Sequence, residues 1–186
     1  MPEKSPDPRP ADAFRFCPRC GHGPATAGGG PVFACGACGF HLHFNPAVAA
    51  GVIVEDGEGR VLLLRRALEP ARGSFGFPGG FVDAGEGVEE AIAREAREEA
   101  GVEVEGLEFV GGWPNLYPWR GLVYPVLDLF FAGRLRAGSR AEAGHETDAC
   151  VWLRPEDVDL ATLAFPTTRA AFARYRVTTR AKRGST

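Results

Sequence analysis

The chain has 186 residues, 45% of them apolar, and a formal net charge of −3. That length holds one medium domain plus a small appendage and excludes two full domains, while the apolar share suffices for a buried core. The acidic balance excludes a global basic field that would draw the protein to nucleic acid, and no run of 18 or more apolar residues is present to span a bilayer.

Residues 1–13 are proline-rich and charged and contain no apolar signal-peptide core. They read as a disordered leader, and cytoplasmic residence is the expectation that follows. Residues 14–44 hold Cys, Gly and His with little periodicity. Cys17-Pro-Arg-Cys20-Gly21 and Cys35-Gly-Ala-Cys38-Gly39 are two CxxC turns with 14 residues between them, 21–34. Each pair puts two thiolates on one tight turn, and the glycine after it permits positive φ. In a reducing compartment such pairs point to metal rather than to disulfides. Two of them can close a tetrahedral shell around zinc. That shell has no open position, so Zn2+ is expected to be structural and to supply folding free energy that so small a module lacks. His22, His41 and His43 read as surface or packing histidines, and Gly28-Gly29-Gly30 as a short flexible patch.

Strand-like runs begin after Asn45-Pro46. Ala47 to Val54 and Arg60 to Leu64 flank the turn Glu55-Asp56-Gly57-Glu58-Gly59 and predict a hairpin. A loop rich in Gly, Phe and Pro follows, Gly73 to Gly80. A helix is expected over Val88 to Ala100, stopped by Gly101. Further strands are expected over Leu107 to Trp113, Leu122 to Phe131 and Ala149 to Leu153. Pro125, in the second of these, is tolerated at a central paired position only with a bulge. A short helix is expected near Pro155, and a last one from Pro166 to Tyr175. Residues 176–186 then read as a solvated basic tail, and Cys150, next to Trp152, as a buried apolar residue. Strands and helices alternate irregularly, as in an α/β sandwich with a mixed sheet.

The helix over 88–100 carries the chemistry. Glu95 stands beside Glu98 and Glu99 at helical spacing, the three spanning an arc of about 100°. Three like charges so close destabilise a bare helix. A hard divalent cation such as Mg2+ reverses that penalty, and it often sits between carboxylates and substrate phosphates. The Phe77-Pro78-Gly79-Gly80 loop frees backbone for close approach to the helix, where a carbonyl can complete a metal shell.

The stretch from Gly80 to Val102 resembles the Nudix box, G-x5-E-x7-R-E-U-x-E-E-x-G-U, where U is apolar. Gly80, Glu86, Arg94, Glu95, Glu98, Glu99 and Gly101 match every fixed position, and Val102 fits the last apolar one. Ala96 is smaller than the usual residue at the first apolar site. His43-Phe44-Asn45-Pro46 and Phe165-Pro166 resemble the joint and the C-terminal end of Nudix hydrolases that carry a zinc ribbon. The resemblance implies an α/β/α sandwich with a mixed sheet over 45–175, preceded by a zinc ribbon over 14–44.

It also implies a hydrolase acting on a nucleoside diphosphate linked to another group, such as NADH, FAD or ADP-ribose, with a homodimer as its assembly. Glu95, Glu98, Glu99 and the Gly79 carbonyl would bind Mg2+ or Mn2+. Glu86 and Arg94, beside Gly80, would orient those carboxylates. A further acid from a later loop is expected, with Glu146 best placed and Glu142 and Asp148 behind it. The general base would be Glu98, Glu99 or Glu146. Trp113, Tyr117 and Trp119 could stack on a base, and Arg120 could meet a phosphate. The stretch from Gly111 to Pro118 departs from the NADH-pyrophosphatase signature S-Q-P-W-P-F-P-x-S, which leaves the substrate open. Two other classes stay in view: a sanitising pyrophosphatase for nucleoside triphosphates, and a Nudix-like ligand sensor whose ribbon touches nucleic acid.

Overall fold

The computed structural model describes residues 9–23 and 31–183. The Gly28-Gly30 patch and residues 1–8 of the expected leader lie outside them. Two compact units emerge: residues 1–47 with 115–126, and residues 48–114 with 127–186.

The first unit is organised by the two CxxC turns. Cys17 N–H donates to the His22 carbonyl and Gly21 N–H to that of Cys17, each at 2.9 Å. The second turn repeats this: Cys35 N–H donates to Phe40 O at 2.9 Å and Gly39 N–H to Cys35 O at 3.0 Å. Gly21 and Gly39 adopt φ of 70° and 69°, the left-handed conformation that the glycine after each pair predicts. Strand β1 (Val32–Ala34) pairs antiparallel with β2 (His41–His43). Phe33 is fully buried against Phe14, Phe40, Leu42 and Phe44, with Cys17 and Cys35 beside it. Pro10–Ala13 forms a 3-10 turn with Pro10 and Ala11 buried, so the end of the expected leader is part of the structure.

The remaining elements are a seven-stranded sheet and its helices. Strands β3 (Ala47–Glu55), β4 (Val61–Arg66), β5 (Phe75–Gly76) and β6 (Gly79–Phe81) precede helix α1 (Val88–Ala100). Strands β7 (Val104–Trp119), β8 (Leu122–Leu135) and β9 (Thr147–Leu153) and helix α2 (Pro166–Arg183) follow. The strand order is β5-β4-β3-β8-β7, with β6 on β3 and β9 on β4. Alternation along the strands divides the core between two faces. Ala50, Val52, Val54, Leu62 and Leu64 pack with Ile92, Ala96 and Ala100 of α1. Ile53, Val61 and Leu63 pack with Ala171, Phe172 and Tyr175 of α2. This is the expected sandwich, one helix on each face of a mixed sheet. Fully buried Ala96 lets α1 lie close against it, which accounts for a small residue at that site.

Several elements differ from the sequence expectation, β8 among them, which runs to Leu135 rather than Phe131. Phe75–Gly76 and Gly79–Phe81 form short strands inside the expected loop. Strand β7 extends to Trp119, because half-buried Trp113, Asn115 and Tyr117 alternate with exposed Pro114, Leu116 and Pro118 in the two-residue period of a strand. The hairpin then turns at Arg120 and Gly121, whose φ of 49° and 78° match the two left-handed residues of a type I′ turn. Helix α2 runs on to Arg183, because no glycine or proline after Tyr175 stops it before Gly184. Much of the expected basic tail is therefore helical.

The β3–β4 turn is set by Asp56. Its Oδ1 accepts from the amides of Glu58 and Arg60, both at 2.9 Å, and its Oδ2 accepts from Arg60 Nε at 2.8 Å. Although burial opposes ionisation, these donors hold the carboxyl below its usual range. Asp56→Ala removes all three bonds and should cost about 1–2 kcal/mol. Urea denaturation checks this: a midpoint equal to that of the parent would show that the turn forms without the carboxylate.

Candidate active site

Helix α1 is placed by its two ends. Glu90 Oε2 accepts from the Gly87 amide at 2.7 Å, satisfying a donor at the N-terminus. At the C-terminus Gly101, with φ of 66°, donates to Arg97 O at 2.9 Å, and Val102 N–H reaches Ala96 O at 3.2 Å. The charged face of this helix meets the backbone of β6. Gly79 and Gly80 pair with Gly51 and Ala50 of β3. A Cβ on Gly79 would lie 2.3 Å from Ala50 O, and one on Gly80 would lie 2.3 Å from Glu95 Oε1. Only glycines allow the strand and the carboxylate to approach so closely.

Arg94 is the hub of the site. Its Nε and Nη2 grip both oxygens of Glu86, at 2.9 and 3.0 Å. Nη1 donates to Glu95 Oε1 at 2.7 Å and to Glu98 Oε2 at 3.4 Å, and Nη2 also donates to Phe81 O at 3.0 Å. Arg94 first, then the Asp83 amide, holds Glu86 below the usual carboxylate range.

The acids deeper in the site behave oppositely. Burial lifts the Glu95 carboxyl against the pull of Arg94, and repulsion from Glu98 and Glu146 adds to the rise. Glu99 is pushed from 4.5 up to about 7. Burial is the main cause, opposed by the Gly79 amide, which donates to Glu99 Oε2 at 2.9 Å. Repulsion from Glu95 and Glu146 raises it further, and the charge of Arg66 lowers it. Glu95 therefore feels Glu98, Glu99 and Glu146, and Glu99 feels Glu95 and Glu146, the last arriving from the β8–β9 connection. Of the other two candidates, Glu142 bonds Ala100 O through its amide, and Asp148 lies 3.9 Å from Arg65. Cys150 is partly buried, and burial, then Glu99, raises its thiol.

Among the described residues only Cys17, Cys20, Cys35 and Cys38 bring their ligand atoms within 4.8 Å of one another. Their Sγ atoms lie 3.7 Å apart in the pairs Cys17–Cys38 and Cys20–Cys35. A tetrahedron with zinc–sulfur bonds of about 2.3 Å has edges of about 3.8 Å, so the cluster fits zinc. Within the cluster the Cys38 amide, aided by that of Ala37, lowers the Cys35 thiol, while, against the His22 amide, the Cys38 thiol and burial raise that of Cys20, so the four share their protons unevenly. Exposed His22, His41 and His43 take no part in the cluster. The oxygens of Glu95, Glu98 and Glu99 are hard donors suited to Mg2+ or Mn2+ in kind. They are not gathered in the same way, because Arg94 engages Glu95 and Glu98, and Gly79 engages one oxygen of Glu99.

The aromatic candidates divide. Trp113 packs edge-to-face on Phe130 of the core, at 6.0 Å between centroids. Tyr117 and Trp119 stack at 6.4 Å, and the Arg120 guanidinium lies 5.4 Å from the Trp119 ring, so these three form a ladder at the hairpin turn. Arg66 is a site residue that the sequence did not announce. Its Nε bonds Pro70 O at 2.8 Å, and its guanidinium sits 5.3 Å from the Phe165 ring. The available signal was the Arg65-Arg66 pair ending an apolar strand.

Comparison with known proteins places this geometry. Residues 45–175 match the family described as NUDIX domain. The chain is 39% identical over 107 residues to the ADP-ribose pyrophosphatase of Methanocaldococcus jannaschii, covering 55% of this chain and 62% of that protein. It is 39% identical over 102 residues to the NAD-capped RNA hydrolase NudC of Pseudomonas aeruginosa, covering 54% of this chain and 36% of that one. The matches thus span less than two thirds of these relatives. A crystal structure of a NUDIX hydrolase from Nitrosomonas europaea superposes with a TM-score of 0.65 at 26% identity, covering 86% of this chain and 89% of that one.

Glu99 gives a stability test without metal or substrate. Its folded pKa of about 7 lies above the unfolded value near 4.5. Folding therefore carries no ionisation penalty below about 4.5, and the penalty grows to its full size as pH rises through about 7. In metal-free buffer Glu99→Gln should match the parent at pH 4.5 and exceed it at pH 8 by roughly 3 kcal/mol at most. Thermal melts across that range check the sign; a variant less stable than the parent at pH 8 would refute the burial account.

Proposed function

This chain belongs to the NUDIX family, and we propose that it is a divalent-metal-dependent pyrophosphohydrolase that cuts the diphosphate of a nucleoside diphosphate linked to a second group. The observation that carries this is the pair Glu95 and Glu99, lodged against the Gly79-Gly80 backbone, repelling each other and repelled by Glu146, with Glu98 repelling Glu95 as well. Such a cluster is unfavourable alone and becomes favourable when cations and a polyphosphate enter it. The relatives named ADP-ribose pyrophosphatase and NAD-capped RNA hydrolase support the same substrate class.

In this reading Glu95, Glu98, Glu99 and the Gly79 carbonyl hold Mg2+ or Mn2+. Bound there, the cations would neutralise phosphate oxygens and lower the pKa of a water. The Glu98 side chain is 61% exposed and has room to change rotamer. Arg94, anchored by Glu86, keeps Glu95 turned toward Gly80. Glu98, Glu99 or Glu146 would take the proton of that water, and the exposure of Glu146 gives it access to solvent. Arg66 adds a positive charge that acts on Glu99 and is available to the incoming phosphates. Within the first unit, Tyr117, Trp119 and Arg120 form a ladder of a kind that stacks on a base, whereas Trp113 is accounted for by packing. The four cysteines hold structural zinc, and we take the protein to act in the cytoplasm as a homodimer.

Incubation with Mg2+ and a panel of ADP-ribose, NADH, FAD, diadenosine polyphosphates and nucleoside triphosphates, followed by mass spectrometry, should show two monophosphate-bearing products from a diphosphate-linked substrate. Glu99→Gln should lower kcat at least about a thousandfold with the fold intact. Inactivity of the parent across the panel, or near-normal turnover of the variant, would overturn the reading. Pyrophosphate released from triphosphates alone would transfer it to the sanitising class.

Elemental analysis tests the cysteines separately. One zinc per chain is expected, lost in Cys20→Ser. Binding of zinc by that variant as tightly as by the parent would remove Cys20 from the shell.

A further inference from the structure

The β8–β9 connection is fastened to the last turn of α1. The Glu142 amide donates to Ala100 O at 2.9 Å, and the Gly144 amide donates to Glu99 O at 3.0 Å. These carbonyls are among those a helix end leaves without internal partners. Gly144 stands so close that a Cβ there would lie 2.2 Å from Glu98 O and 3.2 Å from the Cα and O of Glu99. Two residues later, on its other side, the connection is tied to the segment after β4: the Ala67 amide donates to Glu146 O at 2.9 Å. Glu146 is thus held between two attachments, one to the acid-bearing helix and one to the neighbour of Arg66.

We propose that Gly144 is a positioning residue for Glu146. The missing side chain lets the connection seat on the backbone of Glu98 and Glu99, and that seat fixes the distance from Glu146 to Glu95 and Glu99. A methyl group needs about 1 Å more room than the 2.2 Å available from Glu98 O, since real Cβ contacts stay beyond about 3 Å. The obstructing atom is backbone of a packed helix, so the connection moves and Glu146 moves with it. A shift of that size at a catalytic group typically lowers turnover about a hundredfold. The inference rests on the reading of the acid cluster as the catalytic centre.

Four proteins decide it: Gly144→Ala, Glu146→Gln, the double variant, and Ala143→Gly as a control on the same connection. Gly144→Ala and Glu146→Gln should each lower kcat about a hundredfold. The double variant should be no more than about twofold worse than Glu146→Gln alone, because the two changes remove one contribution. Mn2+ binding read by electron paramagnetic resonance should weaken in the same non-additive way, and Ala143→Gly should stay within about twofold of the parent. Losses that multiply would show that Gly144 acts independently of Glu146 and would overturn the proposal.

Residue-resolved amide exchange on the parent keeps the test independent of turnover and of the variants' folding. The Glu142 and Gly144 amides should exchange at least about a hundredfold more slowly than unprotected ones. Unprotected rates would overturn the proposal even if the Glu146 variant is inactive. If the parent turns over no substrate, the function proposed above fails, while amide exchange and Mn2+ binding still decide the role of Gly144.

Discussion

One carboxylate in an unfavourable place organises the larger unit. Glu99 is taken out of water at the end of α1 and pressed toward Gly79, with Glu95 and Glu146 repelling it, and its pKa rises to about 7. A protein pursuing stability alone would place an apolar residue there, because burying an ionisable group without a matching charge is costly. The surroundings reduce that cost without cancelling it. One amide hydrogen bond and the charge of Arg66 favour the ionised form, and Arg94 is directed to Glu86, Glu95 and Glu98 instead. The arrangement gathers carboxyl groups at the glycine strand without a full set of compensating donors.

The framework around it is ordinary sandwich packing. The β3–β4 hairpin contributes to both faces through alternation, and α1 and α2 each cover one of them. On the α1 face, Ala96 and Ala100 keep the helix close to the sheet. That closeness brings Glu95 into contact with Gly80. Small residues on the buried side and glycines on the strand thus serve one geometric end. The cysteine unit solves its own problem differently: its apolar cluster centres on Phe33, and four sulfurs at tetrahedral spacing supply the remaining link.

Much of this was legible in the residues. The limits of α1, Val88 to Ala100, follow from its periodicity and from Gly101, and the structure has the same limits. The CxxC turns were legible because thiols and glycines at that spacing have few other uses. What escaped reading depended on contacts between distant segments. Pro114 and Pro118 look like loop residues until the alternation of burial between them shows a strand. Arg66 reaches the site only because β4 runs beside β9 and the chain folds back at Pro70. Gly144 sits in a polar connection with nothing in its neighbourhood to mark it, since the atom it must clear belongs to a residue 46 positions earlier, Glu98. Local pattern identifies elements and motifs; it does not show which backbone atom another loop must pass.

Arg94 has one more implication. A guanidinium carries five N–H bonds, and here all five point at acceptors: two at Glu86, one each at Glu95 and Glu98, and one at the Phe81 carbonyl. The cation at the middle of the site is therefore saturated by the protein itself. It serves as a brace and has no hand left for an arriving anion, so the compensation of phosphate charge falls to whatever else enters or borders the cleft. A lysine at this position, with three donors on one nitrogen, would leave at least two of the same acceptors unserved.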